Sequence, residues 1–272
     1  MLRFVVALEP EARPLIERYR LRRDPDGHAF AIYRRDATAL IVSGVGKAAA
    51  AAATSYLHLA TGGEHHAAWL NVGIAGHGRR PVGEAVVAHK IRDAGSGRSW
   101  YPPRLVDAAE SGEVVTVDVP ELAFPEPVAY EMEACGFYDT ACRFASSEVV
   151  QCLKIVSDGP GTPPQDLTVA KVDQLVGQNL PAVERLVEGC RELSAELRRL
   201  DAESPDFARC LERWYFTVTE KRQLAKLLRR RRTLDPEAAL PLEDLGAETR
   251  GSDVNRRLGG WLDALAVERE TL

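Results

Sequence analysis

The sequence contains no apolar run approaching the ~20 residues that a helix needs to cross a bilayer. Its cysteines are few and poorly spaced for pairing. Cys135, Cys142, Cys152, Cys190 and Cys210 are odd in number and include no CxxC pair, which argues against a disulfide framework or a zinc ribbon and suits a reducing cytosol. There is no large excess of one charge: 35 basic residues stand against 40 acidic ones, a net charge of −5 over 272 residues. Nucleic-acid binding through bulk charge is therefore not expected. The apolar start Met1–Leu8 is interrupted too soon by Glu9 to read as a signal peptide, and a cytoplasmic location is expected. Internal repeats and low-complexity tracts are absent. His77 has no second histidine or carboxylate at metal-ligand spacing, His65-His66 reads as solvated loop, and Gly44-Val45-Gly46-Lys47 lacks the spacing of a phosphate-binding P-loop. Neither a metal nor a cofactor is implied.

What is present is an ordinary globular composition, 45% apolar and 28% charged, with strands that alternate with helices. Leu2–Leu8 reads as a buried strand, followed by Glu9-Pro10-Glu11 and a helix over Ala12–Tyr19. Proline and acidic residues both suit a helix start. Asp24-Pro25-Asp26-Gly27 signals a turn, and His28–Arg34 with Thr38–Ser43 predicts a hairpin. Gly44–Lys47 reads as a tight turn into an alanine-rich helix over Ala48–Thr61. Further strands are expected at Trp69–Val72, Val82–Ile91, Val114–Val119, Val128–Glu131 and Glu148–Val156, with a glycine-dense, ligand-facing loop at Gly73–Gly78. Helices are expected over Ala134–Phe144 and over Leu167–Leu200, the latter with a break near Pro181. This alternation predicts an α/β fold, a three-layer αβα sandwich around a mixed central sheet. Composition changes near residue 195, which gives a domain over residues 1–195 and an α-helical extension over 196–272.

Ligands of open α/β folds bind at the carboxyl ends of strands, and several acidic residues fall there. Glu11 follows the first strand, Glu131 and Glu133 flank Met132 at the end of another, and Asp158 closes a long apolar one. A carboxylate in such a place is poorly solvated, which favours its acid form. Taken singly, each is as well explained as a turn former or a helix cap.

Taken in order, Ala7-Leu8-Glu9-Pro10-Glu11, Ser43-Gly44-Val45-Gly46-Lys47, Asn71-Val72-Gly73-Ile74-Ala75-Gly76, Tyr130-Glu131-Met132-Glu133-Ala134 and Ile155-Val156-Ser157-Asp158 resemble the successive motifs of the nucleoside phosphorylase superfamily. The resemblance is closest to its methylthioadenosine/S-adenosylhomocysteine nucleosidase branch and covers roughly residues 1–190. It implies hydrolysis of the N-glycosidic bond of a purine nucleoside, 5′-substituted or 5′-deoxy and of adenosine type. In that scheme Asp158 protonates the base, Glu11 activates water, Glu133 accepts from the ribose hydroxyls and Met132 packs under the sugar. Gly73, Ile74, Gly76, Glu131 and Ser157 complete the substrate site, and a homo-oligomer is the family default. The anion-repelling Glu9-Pro10-Glu11 favours water over phosphate as nucleophile, although Arg79 and Arg80 keep phosphorolysis open.

The pattern departs from that branch in three places. Ile74 stands where a small hydroxyl residue is expected. The segment before Glu131 that covers the purine is short, and Phe124 there serves equally well as a base-stacking ring or as core. Gly159-Pro160-Gly161 follows Asp158 in place of a second acidic residue. The extension has no counterpart in the family. Leu211, Trp214 and Tyr215 share a helical face, as do Leu224, Leu227 and Leu228, and Lys221–Arg232 carries seven basic residues in twelve. That stretch reads as a solvated basic face on a packed helix or as a docking surface for an acidic partner or nucleic acid; a non-catalytic module that binds nucleosides or docks a partner through these basic helices is the alternative to catalysis.

Overall fold

A computed structural model describes residues 1–26, 29–162, 167–201, 204–241, 245–246 and 250–270. Gly27 and His28, within the predicted turn and hairpin, lie outside the described residues. Two compact units are present, Met1–Glu196 and Leu197–Leu272.

The first unit is built on a ten-stranded mixed sheet. β1 (Leu2–Val6) lies parallel to both β4 (Thr38–Val42) and β5 (Ala68–His77). Next to β4 run β3 (Ala31–Arg35) and the two-residue β2 (Arg22–Arg23). On its far side β5 pairs with β10 (Val150–Asp158), which pairs with β6 (Ala85–Asp93); β6 pairs with β8 (Glu110–Thr116), and β8 with β9 (Ala129–Glu131). Because β9 also pairs with β5, these five strands close into a ring. The short β7 (Ser99–Trp100) pairs with β6.

Strand side chains alternate between faces, so each face of the sheet receives its own core. Leu2, Phe4 and Val6 pack with Ala12 and Leu15 of α1 (Glu9–Tyr19), with Leu175 and Val176 of α4 (Val169–Gln178), and with Val183 and Leu186 of α5 (Leu180–Asp201). Val5 and Trp69 pack on the other face with Ala50, Ala53 and Leu57 of α2 (Lys47–Ala60) and with Phe137 and Ala141 of α3 (Ala134–Ala141). The result is the expected αβα sandwich. Alanines on the inner face of α2 let it sit close to the sheet, and full burial of Leu57 beside them contributes ~1.5–3 kcal/mol.

Several elements differ from their sequence expectation. Gly73–Gly78 is not a loop, since β5 continues to His77. Pairing with β10 through Gly76 on one edge and with β9 at Gly76 and His77 on the other overrides the weak strand preference of glycine. β8 starts at Glu110 and stops at Thr116 rather than spanning Val114–Val119, and α3 stops at Ala141 rather than Phe144. The break in the long helical stretch falls at Asn179, which places Pro181 in the first turn of α5, where its missing N–H costs nothing.

The second unit is helical: α6 (Pro205–Arg213), α7 (Val218–Leu234) and α8 (Gly251–Glu270). Cys210, Trp214, Leu224, Leu228, Val254 and Leu258 form its core. Thr217 and Glu220 cap the start of α7 reciprocally. Tyr215 does not share the buried face of Leu211 and Trp214; the chain leaves the helix at Trp214, and Tyr215 is 82% exposed. Three of the basic residues of α7 are paired inside the unit: Arg229 with Asp201, Arg230 with Asp263 and Arg231 with Asp206. Among the described residues, no helix is long and apolar enough to cross a membrane.

Candidate active site

The strand ends of the first unit surround a cavity of about 180 Å³. Glu11 reaches it from the first turn of α1. As the third residue of that helix, it turns back so that Oε2 accepts from the backbone N–H groups of Ala7 (3.0 Å) and Leu8 (2.8 Å), two donors that a helix start leaves unpaired. Its Oε1 accepts from Ile74 N–H at 2.9 Å. Glu11 is 2% exposed. Burial raises its pKa, against the pull of Lys154 and of these backbone donors.

Glu133 sits between β9 and α3, where its Oε1 accepts from Gly46 N–H at 2.9 Å. Burial and the neighbouring Glu131 push its pKa up, while Lys154 opposes the rise. Glu131 is more heavily engaged. Its Oε1 accepts from the Thr116 hydroxyl at 2.6 Å, and its Oε2 accepts from Glu133 N–H (2.9 Å) and Ala134 N–H (2.8 Å). Glu131 therefore anchors the Glu-Met-Glu segment, although it also lines the cavity.

Asp158, the last residue of β10, is buried, and burial raises its pKa. Its Oδ1 accepts from the Ser157 hydroxyl. An ideal Cβ on Gly76 would fall 2.8 Å from its Oδ2 and 2.5 Å from the ring of Phe124, and one on Gly73 would fall 2.8 Å from Glu11 Oε1. These two glycines thus make room for carboxylates, and the Ile74 amide between them binds Glu11. The loop of amides facing a ligand, expected from the sequence, is not what this motif forms.

The cavity brings together Glu11, Met132, Glu133 and Asp158, with Ile74, Gly76, Glu131 and Ser157 also in its lining. Two expected residues fall behind it. Gly73 backs Glu11, and Phe124 packs with Val115, Val128 and Tyr130. Arg80, paired with Glu84, does not reach the lining.

The sequence reading missed Lys154, which is 1% exposed in the middle of β10. Its ammonium lies 2.8 Å from Glu131 Oε2 and 3.8 Å from Glu133 Oε2, and near Glu11. Burial disfavours its charge, but Glu131, Cys152, Glu133 and Glu11 outweigh that and raise its pKa. A signal was available: a lysine inside an otherwise apolar strand is almost never fully buried unless paired. Also unforeseen was the role of Gly46 in holding Glu133; the segment before Glu131 that the resemblance places over the purine contributes Pro120 and Glu121 to the lining, with Val117 beside them. Among the described residues, no group of three or more His, Cys, Asp or Glu side chains is arranged to hold a metal ion.

Neither a family model nor a curated relative matches the sequence. Solved structures do match. The 5′-methylthioadenosine/S-adenosylhomocysteine nucleosidase of Helicobacter pylori, crystallised with butyl-thio-DADMe-Immucillin-A, superposes with a TM-score of 0.56 at 14% identity over 69% of this chain and 97% of that one. The apo 5′-methylthioadenosine nucleosidase of Arabidopsis thaliana gives 0.55 at 15% identity over 71% of this chain and 95% of that one. A futalosine hydrolase mutant of H. pylori gives 0.54 at 14% identity over 69% and 98%. At these identities the likeness is one of fold, and the chain shares the fold of these nucleosidases.

Proposed function

We propose that this chain, built on the fold of nucleosidases, hydrolyses the N-glycosidic bond of a purine nucleoside. The observation that carries the proposal is the gathering of Glu11, Glu133 and Asp158 around one cavity, all three buried and all three with raised pKa values.

Breaking the ribosyl C–N bond builds positive charge on the sugar and negative charge on the departing base. Asp158 supplies a proton to N7 of the base. An aspartic acid with the ordinary pKa of ~3.9 keeps only about one proton per thousand side chains at pH 7, so the upward push from burial is what makes this role workable. Glu11, held in place by three backbone donors, takes the proton from the attacking water. Glu133 accepts from the ribose hydroxyls, and Met132 offers a polarisable thioether to the sugar. The carboxylates also stabilise the oxocarbenium-like transition state, as paired carboxylates do in glycosidases.

Water is the nucleophile in this reading. A phosphate site needs cationic groups, and among the described residues no arginine, lysine or histidine lines the cavity. Lys154 lies behind the lining, close to Glu131, Glu133 and Glu11. Incubation with adenosine, 5′-deoxyadenosine, methylthioadenosine, S-adenosylhomocysteine, inosine and guanosine, with base release followed by chromatography, is expected to give free base from at least one substrate at a rate that phosphate does not change. Absence of base from the whole panel would end the proposal, and release only with phosphate would turn it into phosphorolysis.

A further inference from the structure

We propose that Glu121 reads the base and selects a purine whose outer edge carries hydrogen-bond donors, guanine above all, over adenine; this rests on the hydrolytic reading above. The resemblance in the sequence implied an adenosine-type base, and the side chains present favour a different purine.

Position is the first argument. Thr116 of β8 is in register with Glu131 and Val115 with Tyr130, Tyr130 is in register with Gly76, and Gly76 with Asp158. The chain leaving β8 therefore emerges beside the strand ends that carry Gly76 and Asp158, and Val117, Pro120 and Glu121 line the cavity. This wall is held at two points. Val117 N–H donates to Glu131 O at 2.8 Å. Lys47 grips Asp118 at 2.8 Å and Asp93 at 2.9 Å, and Asp93 is itself fixed by the Ser96 hydroxyl at 2.6 Å.

Hydrogen-bonding capacity is the second argument. Among the described residues, the lining includes no Asn, Gln, His, Lys or Arg. Of its two hydroxyls, Ser157 donates to Asp158 and Tyr130 accepts from the Glu126 N–H. Apart from the Tyr130 O–H, the polar side chains left among these described residues are carboxylates, which accept when ionised. Glu131 and Glu133 are held by Lys154 and by backbone donors, Glu11 by three backbone N–H groups, and Asp158 by Ser157. Glu121 differs. Its Oε1 accepts from Ala123 N–H at 2.8 Å, and its Oε2 has no hydrogen-bond partner among the described residues. Guanine offers N1–H and the adjacent 2-amino group to such an acceptor. Adenine offers an amino group beside the N1 lone pair, which a carboxylate repels. With Oδ1 of Asp158 taken by Ser157, one aspartate oxygen remains for the base, enough for N7 and too little to read the outer edge as well.

Two measurements test this. For guanosine and adenosine, wild-type kcat/KM is expected to favour guanosine about 10- to 100-fold, the worth of one hydrogen bond to a charged group. Glu121→Gln, whose amide both donates and accepts, is expected to bring the ratio within a few-fold. Preference for adenosine, or a ratio that Glu121→Gln leaves unchanged, overturns the inference. The second measurement needs no bond cleavage: calorimetric binding of 9-deazaguanine and 9-deazaadenine to the wild-type protein. Tighter binding of the guanine analogue supports base selection even if no nucleoside is hydrolysed, in which case the hydrolytic reading alone fails. Equal affinities, or no binding of either, overturn the selection itself.

Discussion

Asp158→Asn is expected to lower kcat by about 10²–10⁴-fold, the usual contribution of a positioned general acid, while changing the affinity for an uncleavable nucleoside analogue only a few-fold. The amide keeps the shape of the side chain and can still take up the Ser157 hydroxyl, but it has no acidic proton to give. The pH profile separates this role from a structural one. Burial raises the pKa of Asp158, so the protonated form persists to higher pH than in an exposed aspartate and is lost as pH rises through that value. The alkaline limb of kcat/KM is then the titration of Asp158, and it should be missing from whatever activity remains in the variant. Glu11 must be ionised to act, and its pKa is also raised, so it governs the acid limb. Steady-state rates across pH for both proteins check this. A variant that keeps more than a tenth of wild-type kcat, with the same alkaline limb, rules out Asp158 as the acid.

Lys154→Met is expected to cause a large loss of stability. Its ammonium is buried among Glu131, Glu133 and Glu11, and removing one partner of a buried pair typically costs ~3–5 kcal/mol because the remaining charge is uncompensated. For a domain of this size that corresponds to a fall in Tm of roughly 6–20 °C. The pH dependence has a definite sign. Without the lysine, the raised pKa values of Glu11 and Glu133 in the folded state rise further above their unfolded values, because the Lys154 charge that opposes the effect of burial is gone. The folded variant then binds more protons than the unfolded chain, so its stability improves as pH falls and worsens as pH rises. The Tm deficit against wild type should be larger at pH 8 than at pH 5.5. Thermal denaturation of both proteins at the two pH values decides it, and an equal Tm at pH 8 would show that the ammonium does not neutralise the cluster.

Much of this architecture was legible in the amino acids. Apolar runs closed by Glu11, Glu133 and Asp158 marked strand ends, and the alternation of strand and helix set the layers. The misreadings have physical causes. Gly73–Gly76 looks like a loop to any local criterion, because its strand character comes from β10 pairing along one edge, from β9 pairing at Gly76 on the other, and from the space that Glu11 and Asp158 need beside it. Gly46 reads as a turn residue, and nothing local shows that its N–H points to a carboxylate 87 positions away. Phe124 was left between ring stack and core, and its packing against Val115, Val128 and Tyr130 depends on strands that meet only in three dimensions. Lys154 is the exception, since its surroundings in β10 were visible in the sequence and implied a buried counter-charge. The wall at Val117–Glu121 contains no motif of its own; its place before Glu131 pointed to the cavity, and the route of the chain out of β8 selects Val117, Pro120 and Glu121 as the residues that face it.

The most direct measurement is a crystal structure of the protein with a 9-deazapurine ribonucleoside, whose carbon–carbon glycosidic bond resists hydrolysis. The expected result places the ribose hydroxyls within ~3.2 Å of Glu133, the N7 position of the base at the same distance from Asp158 Oδ2, and the anomeric carbon facing Glu11. A ligand seated outside this cavity, or one whose sugar meets none of the three carboxylates, would contradict the account.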